Sequence, residues 1–168
     1  MLSKNIENAL NKQIAQEAAA SYYYLAMASW CEYKGLDGAA KFLYQQSEEE
    51  RAHMLRIFKY VNEAGGHAFA PEIKKLPQEY KSIVNVFELA LKQEINNTKS
   101  INNLVDSCLK AKDYSTFNFL QWYVAEQHEE EMIFKTVLDK MKIIGTDGKG
   151  IYMIDKEIGK MAESDSRS

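Results

Sequence analysis

The sequence predicts an all-α protein: a four-helix bundle with one long crossover and a short fifth helix at the C-terminal end. Three observations support this prediction. The 168 residues include only two prolines and eight glycines, so residues that break helices are few. Apolar residues recur every three or four positions along four long segments, as on the buried face of a helix. Residues 65–81, between the second and third segments, hold both prolines and lack this periodicity.

The predicted helices are bounded by residues that cap or break helices. Asp37, Ser82 and Asp113 are predicted to be the N-caps of the second, third and fourth helices, since their side chains accept hydrogen bonds from unpaired backbone N–H groups. A fifth helix with one apolar edge follows Gly150, and residues 162–168 are expected to form a flexible polar tail after a single domain of residues 1–161. The predicted helices cover residues 3–34, 37–64, 82–111, 113–144 and 151–161.

The lengths of the connections predict the topology. Short loops after the first and third helices make each of them antiparallel to the helix that follows. The connection between the second and third helices has about 17 residues, which reach roughly 55 Å when extended. A helix of ~30 residues is only about 45 Å long, so this segment can run the full length of the bundle. The second and third helices are therefore predicted to lie parallel.

Each long helix carries one glutamate near the middle of its apolar stripe. These residues are predicted to meet in one layer of the core, where an unpaired carboxylate costs several kcal/mol and neighbouring like charges add to that cost. Either the carboxyl groups are protonated or cations lie among them. The four residues are Glu17, Glu50, Glu94 and Glu130. The predicted stripe of the third helix is Val84, Phe87, Leu91, Glu94, Thr98, Ile101, Val105 and Cys108.

Glu50 and His53 form a Glu-x-x-His pair on one face of the second helix. A single core histidine is more often structural, but its position beside inward glutamates favours a metal ligand. Glu17 completes a first metal position with this pair. Glu94 and Glu130 form a second position, which Glu50 bridges to the first. Oxygen-rich ligands with a single nitrogen suit iron or manganese better than a structural zinc ion.

Other polar residues near this layer have more than one interpretation. Tyr24 can hydrogen-bond a ligand, supply an electron during oxidation, or be an ordinary core tyrosine. Gln127 can be a weak metal ligand, a hydrogen-bond partner of a ligand, or a buried amide paired with backbone. Glu49, Glu126 and Glu129 lie beside the inward stripes. They form either a third, looser iron site or a solvated acidic face.

Residues 1–161 resemble the bacterial non-haem ferritins. The most specific stretch is Thr116–Glu131, TFNFLQWYVAEQHEEE, and Glu49-Glu50-x-x-His53 supports it. The resemblance implies a ferritin-like bundle with ferroxidase activity, which oxidises Fe(II) with dioxygen or peroxide. It also implies iron storage as ferric oxyhydroxide inside a hollow, symmetric homo-oligomer of about 24 subunits.

Carried onto this sequence, the resemblance implies three iron sites and a tyrosine at the oxidation centre. Haem is not expected, because Ala52 occupies the position that corresponds to the haem methionine of related bacterioferritins. The implied sites are Glu17, Glu50 and His53; Glu50, Glu94 and Glu130, with Gln127 nearby; and Glu49, Glu126, Glu129 and Glu130, with Tyr24 as the tyrosine.

Composition argues against several other functions. A net charge of −3 without a basic cluster argues against nucleic acid as a partner, and no apolar run approaches the ~20 residues of a membrane span. The N-terminal residues lack the apolar run of a signal peptide, so a cytoplasmic location is expected. Cys31 and Cys108 are predicted to be buried free thiols. Two other interpretations stay open: a di-metal oxidase of an organic substrate, and a metal-free structural bundle.

Overall fold

The computed structural model describes residues 2–165, and side chains through residue 162. This range folds into five helices with no strand, which confirms the predicted fold class. Within the described range, no helix is both long enough and apolar enough to cross a membrane. The helices are α1 (Lys4–Tyr33), α2 (Asp37–Glu63), α3 (Ile83–Ala111), α4 (Tyr114–Ile144) and α5 (Gly148–Asp165).

The predicted N-caps of α3 and α4 are confirmed. The Ser82 hydroxyl accepts a hydrogen bond from the backbone N–H of Asn85 at 3.1 Å, and the Asp113 carboxylate accepts one from the N–H of Thr116 at 3.0 Å. Between the two helices, Lys112 adopts a left-handed conformation with φ of 55°. This conformation ends α3 and allows α4 to turn back directly.

The prediction of Asp37 as the N-cap of α2 is wrong. The helix starts at Asp37 itself, and Leu36 precedes it without a side-chain hydrogen bond. The cap comes from α5 instead, because the Asp155 carboxylate accepts the N–H groups of Gly38 at 3.0 Å and Ala39 at 2.8 Å. A negative charge at this end of α2 is also favoured by the helix dipole. A carboxylate that is distant in sequence thus replaces the local cap.

The fifth helix is longer than predicted at both ends. It begins at Gly148, where the Asp147 side chain accepts the N–H of Gly150 at 2.9 Å, and it continues to Asp165. Ala162 is buried against the core, although the flexible tail was predicted to start there. Residues 166–168 of that predicted tail lie outside the described residues.

Two apolar clusters fill the ends of the bundle. In the first, Phe42 near the start of α2 packs against Phe87 near the start of α3, with ring centroids 6.0 Å apart. The same cluster contains Phe134 from the second half of α4 and Cys31 from the end of α1. α2 and α3 therefore begin at the same end and lie parallel, as the long crossover predicted. The second cluster, at the other end, contains Ile6, Leu10, Ile57, Val61, Ile101, Leu104, Cys108 and Leu120.

The buried face of α3 is rotated slightly relative to the predicted apolar stripe. Leu91, Thr98 and Val105 are only partly buried, whereas the adjacent residues on the same helix are buried. These adjacent residues are Ala90, Asn97 and Leu104. The rotation brings Asn97, a polar residue, into the layer between the two apolar clusters. Cys31 and Cys108 are free and buried, as predicted.

Candidate metal centre

The four central glutamates lie in a buried polar layer of the bundle. Glu17, Glu50 and Glu94 have no exposed surface, and Glu130 is 2% exposed. Each is supplied by a different long helix, from α1 to α4. Their charges act on one another, since the carboxylates of the other three all raise the pKa of Glu50. The fold therefore places four acidic side chains within mutual reach in the dry interior.

Glu17, Glu50 and His53 form a group that could hold a metal ion. One ligand atom from each lies within 4.8 Å of the others. Nδ1 of His53 is 3.6 Å from Oε1 of Glu50, which is beyond hydrogen-bonding distance. Among the described residues, no N–H or hydroxyl group donates a hydrogen bond to this nitrogen or to either buried Glu50 oxygen, a rare condition for buried polar atoms. Carboxylate oxygens and an imidazole nitrogen in this arrangement could hold a metal ion such as iron or manganese, which would give these atoms a partner.

Burial governs the ionisation of this group. It raises the pKa of Glu50 well above its usual value, and the neighbouring charge of Glu17 raises it further. Burial also lowers the pKa of His53, although the charge of Glu17 acts in the opposite direction. Without a cation, the neutral forms of these two side chains are favoured. Metal binding would then release a proton from Glu50.

Glu94 is held by two hydrogen-bond donors. The Tyr24 hydroxyl donates to Oε1, and the amide of Gln127 donates to Oε2 at 3.1 Å. Burial raises the pKa of Glu94 to about 7, although these two hydrogen bonds act to lower it. Burial also raises the pKa of Tyr24 well above its usual value, so the phenol stays protonated and remains a donor.

The orientation of Gln127 bears on its alternative roles. Its Oε1 accepts a hydrogen bond from the amide of Asn97 at 3.1 Å, while its NH₂ group faces Glu94. An oxygen engaged in this way is turned to Asn97 rather than presented to a metal. The geometry favours Gln127 as the residue that holds Glu94.

Sequence reasoning missed two buried amides in this layer. Gln13 is 1% exposed and donates to Oε1 of Glu17 at 2.7 Å. Asn97 is fully buried and donates to Oε2 of Glu17 at 3.3 Å. A signal was present, because Gln13 lies four residues before Glu17 and Asn97 three residues after Glu94. Such spacings place each amide on the same helix face as a central glutamate.

A looser acidic cluster lies beside the buried group. Glu126 is partly buried, and its Oε1 is 3.7 Å from Nε2 of His53. Burial raises the pKa of Glu126, and the charges of Glu129 and Glu49 raise it further. Glu49 is itself fixed by the amides of Gln45 and Gln46, at 3.0 Å each. Glu126 therefore links the buried group of Glu17, Glu50 and His53 with Glu129, which is exposed.

Comparisons with known proteins find relatives over nearly the whole chain. A family model described as a ferritin-like domain matches residues 7–144. The chain is 48% identical to a bacterial non-heme ferritin of Campylobacter jejuni, over 98% of each chain. It is 40% identical to that of Escherichia coli O157:H7, over 96% of this chain and 98% of the relative.

Solved structures give the same result. A ferritin of Chlorobium tepidum matches with a TM-score of 0.85 and 46% identity, over 94% of this chain and 97% of the other. An open-pore ferritin from Archaeoglobus fulgidus matches with a TM-score of 0.92 and 38% identity, over 95% and 98% of the two chains. The likeness therefore extends through the helices that supply the buried glutamates.

Proposed function

Because this chain belongs to the ferritin family, we propose that it stores iron and that it oxidises Fe(II) at the buried carboxylate centre. One observation carries the proposal: within the part of the chain that the structure describes, no N–H or hydroxyl group donates to the buried Glu50 oxygens or to Nδ1 of His53, in a layer with three further carboxyl groups. Such a group is costly in a metal-free core. Cations of charge two or three would offset that cost.

The proposal assigns two adjacent positions to the iron substrate. Glu17, Glu50 and His53 bind the first ion. Glu50 bridges to the second ion, which Glu94 and Glu130 also bind. Each Fe(II) gives up one electron to dioxygen or peroxide, and the anionic oxygen ligands favour the more highly charged ferric product. The Fe(III) ions then leave the centre and are deposited as ferric oxyhydroxide.

The neighbouring residues have supporting roles in this proposal. Tyr24 and Gln127 orient Glu94 by donating hydrogen bonds to it. Glu49, Glu126 and Glu129 form a third iron site on the route away from the centre. The mineral requires an enclosed space, so the proposal includes a closed homo-oligomeric shell of about 24 subunits. It also includes a cytoplasmic location and no haem.

Replacement of Glu50 by alanine tests the ferroxidase assignment. Glu50 contributes to both metal positions, so Glu50→Ala is expected to slow aerobic Fe(II) oxidation by at least about a hundredfold, since each metal position supplies several kcal/mol. Glu48→Ala, which removes an exposed carboxylate from the same helix, is the matched control and should oxidise Fe(II) at the unmodified rate. Rapid oxidation by Glu50→Ala would contradict the site.

Light scattering that finds only monomers or dimers would contradict storage in a shell.

A further inference from the structure

Three buried amides form a continuous hydrogen-bonded chain across the polar layer. Nε2 of Gln13 donates to Oδ1 of Asn97 at 2.6 Å. Nδ2 of Asn97 donates to Oε1 of Gln127 at 3.1 Å, and Nε2 of Gln127 donates to Oε2 of Glu94 at 3.1 Å. The chain begins at the Ser100 hydroxyl, which donates to Oε1 of Gln13 at 2.7 Å. Every donor in it therefore points along the chain toward Glu94.

The same amides also reach Glu17. Gln13 and Asn97 both have a second N–H group, and each donates it to the Glu17 carboxylate, at 2.7 Å and 3.3 Å respectively. Asn97 is therefore the branch point of the network, with Glu17 on one side and Gln127 with Glu94 on the other. Rotation of the Asn97 amide by 180° would set its oxygen against the oxygens of Glu17 and Gln127. The network thus permits only one orientation of this side chain.

From this geometry we propose that Asn97 is a positioning residue that couples the two metal positions, holding Glu17 directly and Glu94 through Gln127. The inference rests on the proposed function, because it concerns the ligands of that same centre. Glu17 and Glu94 each accept fixed donors on both oxygens, which orients the carboxylate and directs its remaining lone pairs at the metal. The hydrogen bonds of a buried chain also strengthen one another, so the loss of one bond weakens the bonds at the other end of the chain.

Packing alone does not explain why the residues at these three positions are amides. The clusters above and below the polar layer are built of apolar side chains. Buried amides are tolerated only when they are hydrogen-bonded, and apolar residues of the same size would fill this space without that requirement. Donation to Glu17 and Glu94 is what distinguishes Gln13, Asn97 and Gln127 from such residues.

Calorimetric titration of Fe(II) into the assembled protein, without oxygen, tests the coupling. His53→Ala identifies which binding event belongs to the first position, because it removes the imidazole. Asn97→Leu is expected to weaken binding at both positions by about 10–100-fold, the usual effect of losing an outer hydrogen bond to a metal ligand. Gln13→Met should mainly weaken the first position, and Gln127→Met mainly the second.

The matched control is Thr116→Val, which removes a fully buried hydroxyl that hydrogen-bonds Tyr60 and Asp113 at the start of α4. It should cost folding stability but leave both Fe(II) affinities unchanged. The inference is overturned if Asn97→Leu weakens neither position, weakens only one, or has no larger effect than Thr116→Val.

Two further results keep the test decisive. If Asn97→Leu does not assemble, the paired variants decide, because coupling predicts that each also weakens the far position to a smaller extent. The coupling is overturned if Gln13→Met leaves the second position unchanged and Gln127→Met leaves the first unchanged. Failure of the unmodified protein to bind Fe(II) would overturn the proposed function and this inference with it. Normal binding by both the unmodified protein and Asn97→Leu would overturn the inference alone.

Discussion

The two halves of the buried centre differ in how their polar atoms are satisfied. On the side of α2, no N–H or hydroxyl group of residues 2–162 donates a hydrogen bond to the oxygens of Glu50 or to Nδ1 of His53. On the side of α3, Glu94 accepts hydrogen bonds from Tyr24 and Gln127. Glu50 and Glu94, which are equally buried, therefore differ in their hydrogen bonds.

This difference indicates how the two positions would respond to a cation. At Glu50 and His53 a metal ion displaces the Glu50 proton but no hydrogen bond from an N–H or hydroxyl group of the described residues, and it removes the cost of buried, unpaired polar atoms. Glu17 at the first position and Glu94 at the second both already accept hydrogen bonds, so a metal ion has to share their oxygens at either position. The difference is His53, whose unpaired nitrogen belongs to the first position. We therefore expect the first position, at Glu17, Glu50 and His53, to bind iron more tightly than the second.

The largest expected effect comes from removal of the histidine. Loss of an outer partner costs ~10–100-fold in metal affinity, and loss of a ligand costs at least as much. His53→Ala should therefore weaken the first position by about a hundredfold or more and reverse the order in which the two positions fill. Anaerobic Fe(II) titration measures both affinities. If the first position still bound more tightly, the comparison between the two halves would be wrong.

A smaller effect is expected in the dependence of stability on pH. The folded-state pKa of Glu94 is about 7, against an ordinary value of 4.5. Between these values the folded protein keeps a proton that the unfolded chain has lost, so the free energy of unfolding falls as the pH rises. For Glu94 alone the difference corresponds to roughly 3 kcal/mol, which is present below pH 4.5 and lost through pH 7. Denaturant unfolding of metal-stripped protein measures it.

Glu94→Gln is the control for this dependence. The amide cannot titrate, so the stability of the unmodified protein relative to Glu94→Gln should decline from pH 4.5 to pH 7. The comparison also removes the contribution of His53, whose lowered pKa makes the protein less stable as the pH falls through 6.5. Parallel pH profiles of the two proteins would show that Glu94 is not protonated in the folded core.

Local patterns were sufficient to predict most of the fold. The apolar periodicity and the caps at Ser82 and Asp113 depend on residues close in sequence, and so the four long helices could be assigned from them. The crossover length fixed the parallel packing of α2 and α3 through a simple distance argument. The cap of α2 could not be predicted, because Asp155 is more than a hundred residues away from the N–H groups it accepts.

Only the charged residues of the candidate site could be predicted from the sequence. A glutamate on an apolar stripe is costly enough to indicate a site, and this signal located the four glutamates. Gln13 and Asn97 carry no charge, and a buried amide alone is a weaker signal. The rotation of the α3 stripe, which buries Asn97 instead of Thr98, depends on tertiary packing and has no counterpart in the local pattern.

Crystals of the unmodified protein soaked in Fe(II), with diffraction recorded at the iron absorption edge, test the central claim most directly. We predict one anomalous peak among Glu17, Glu50 and His53 at low iron, and a second peak between Glu50, Glu94 and Glu130 at higher iron. Peaks confined to the outer acids Glu49, Glu126 and Glu129, with none in the buried layer, would contradict the claim that these carboxylates converge to hold iron.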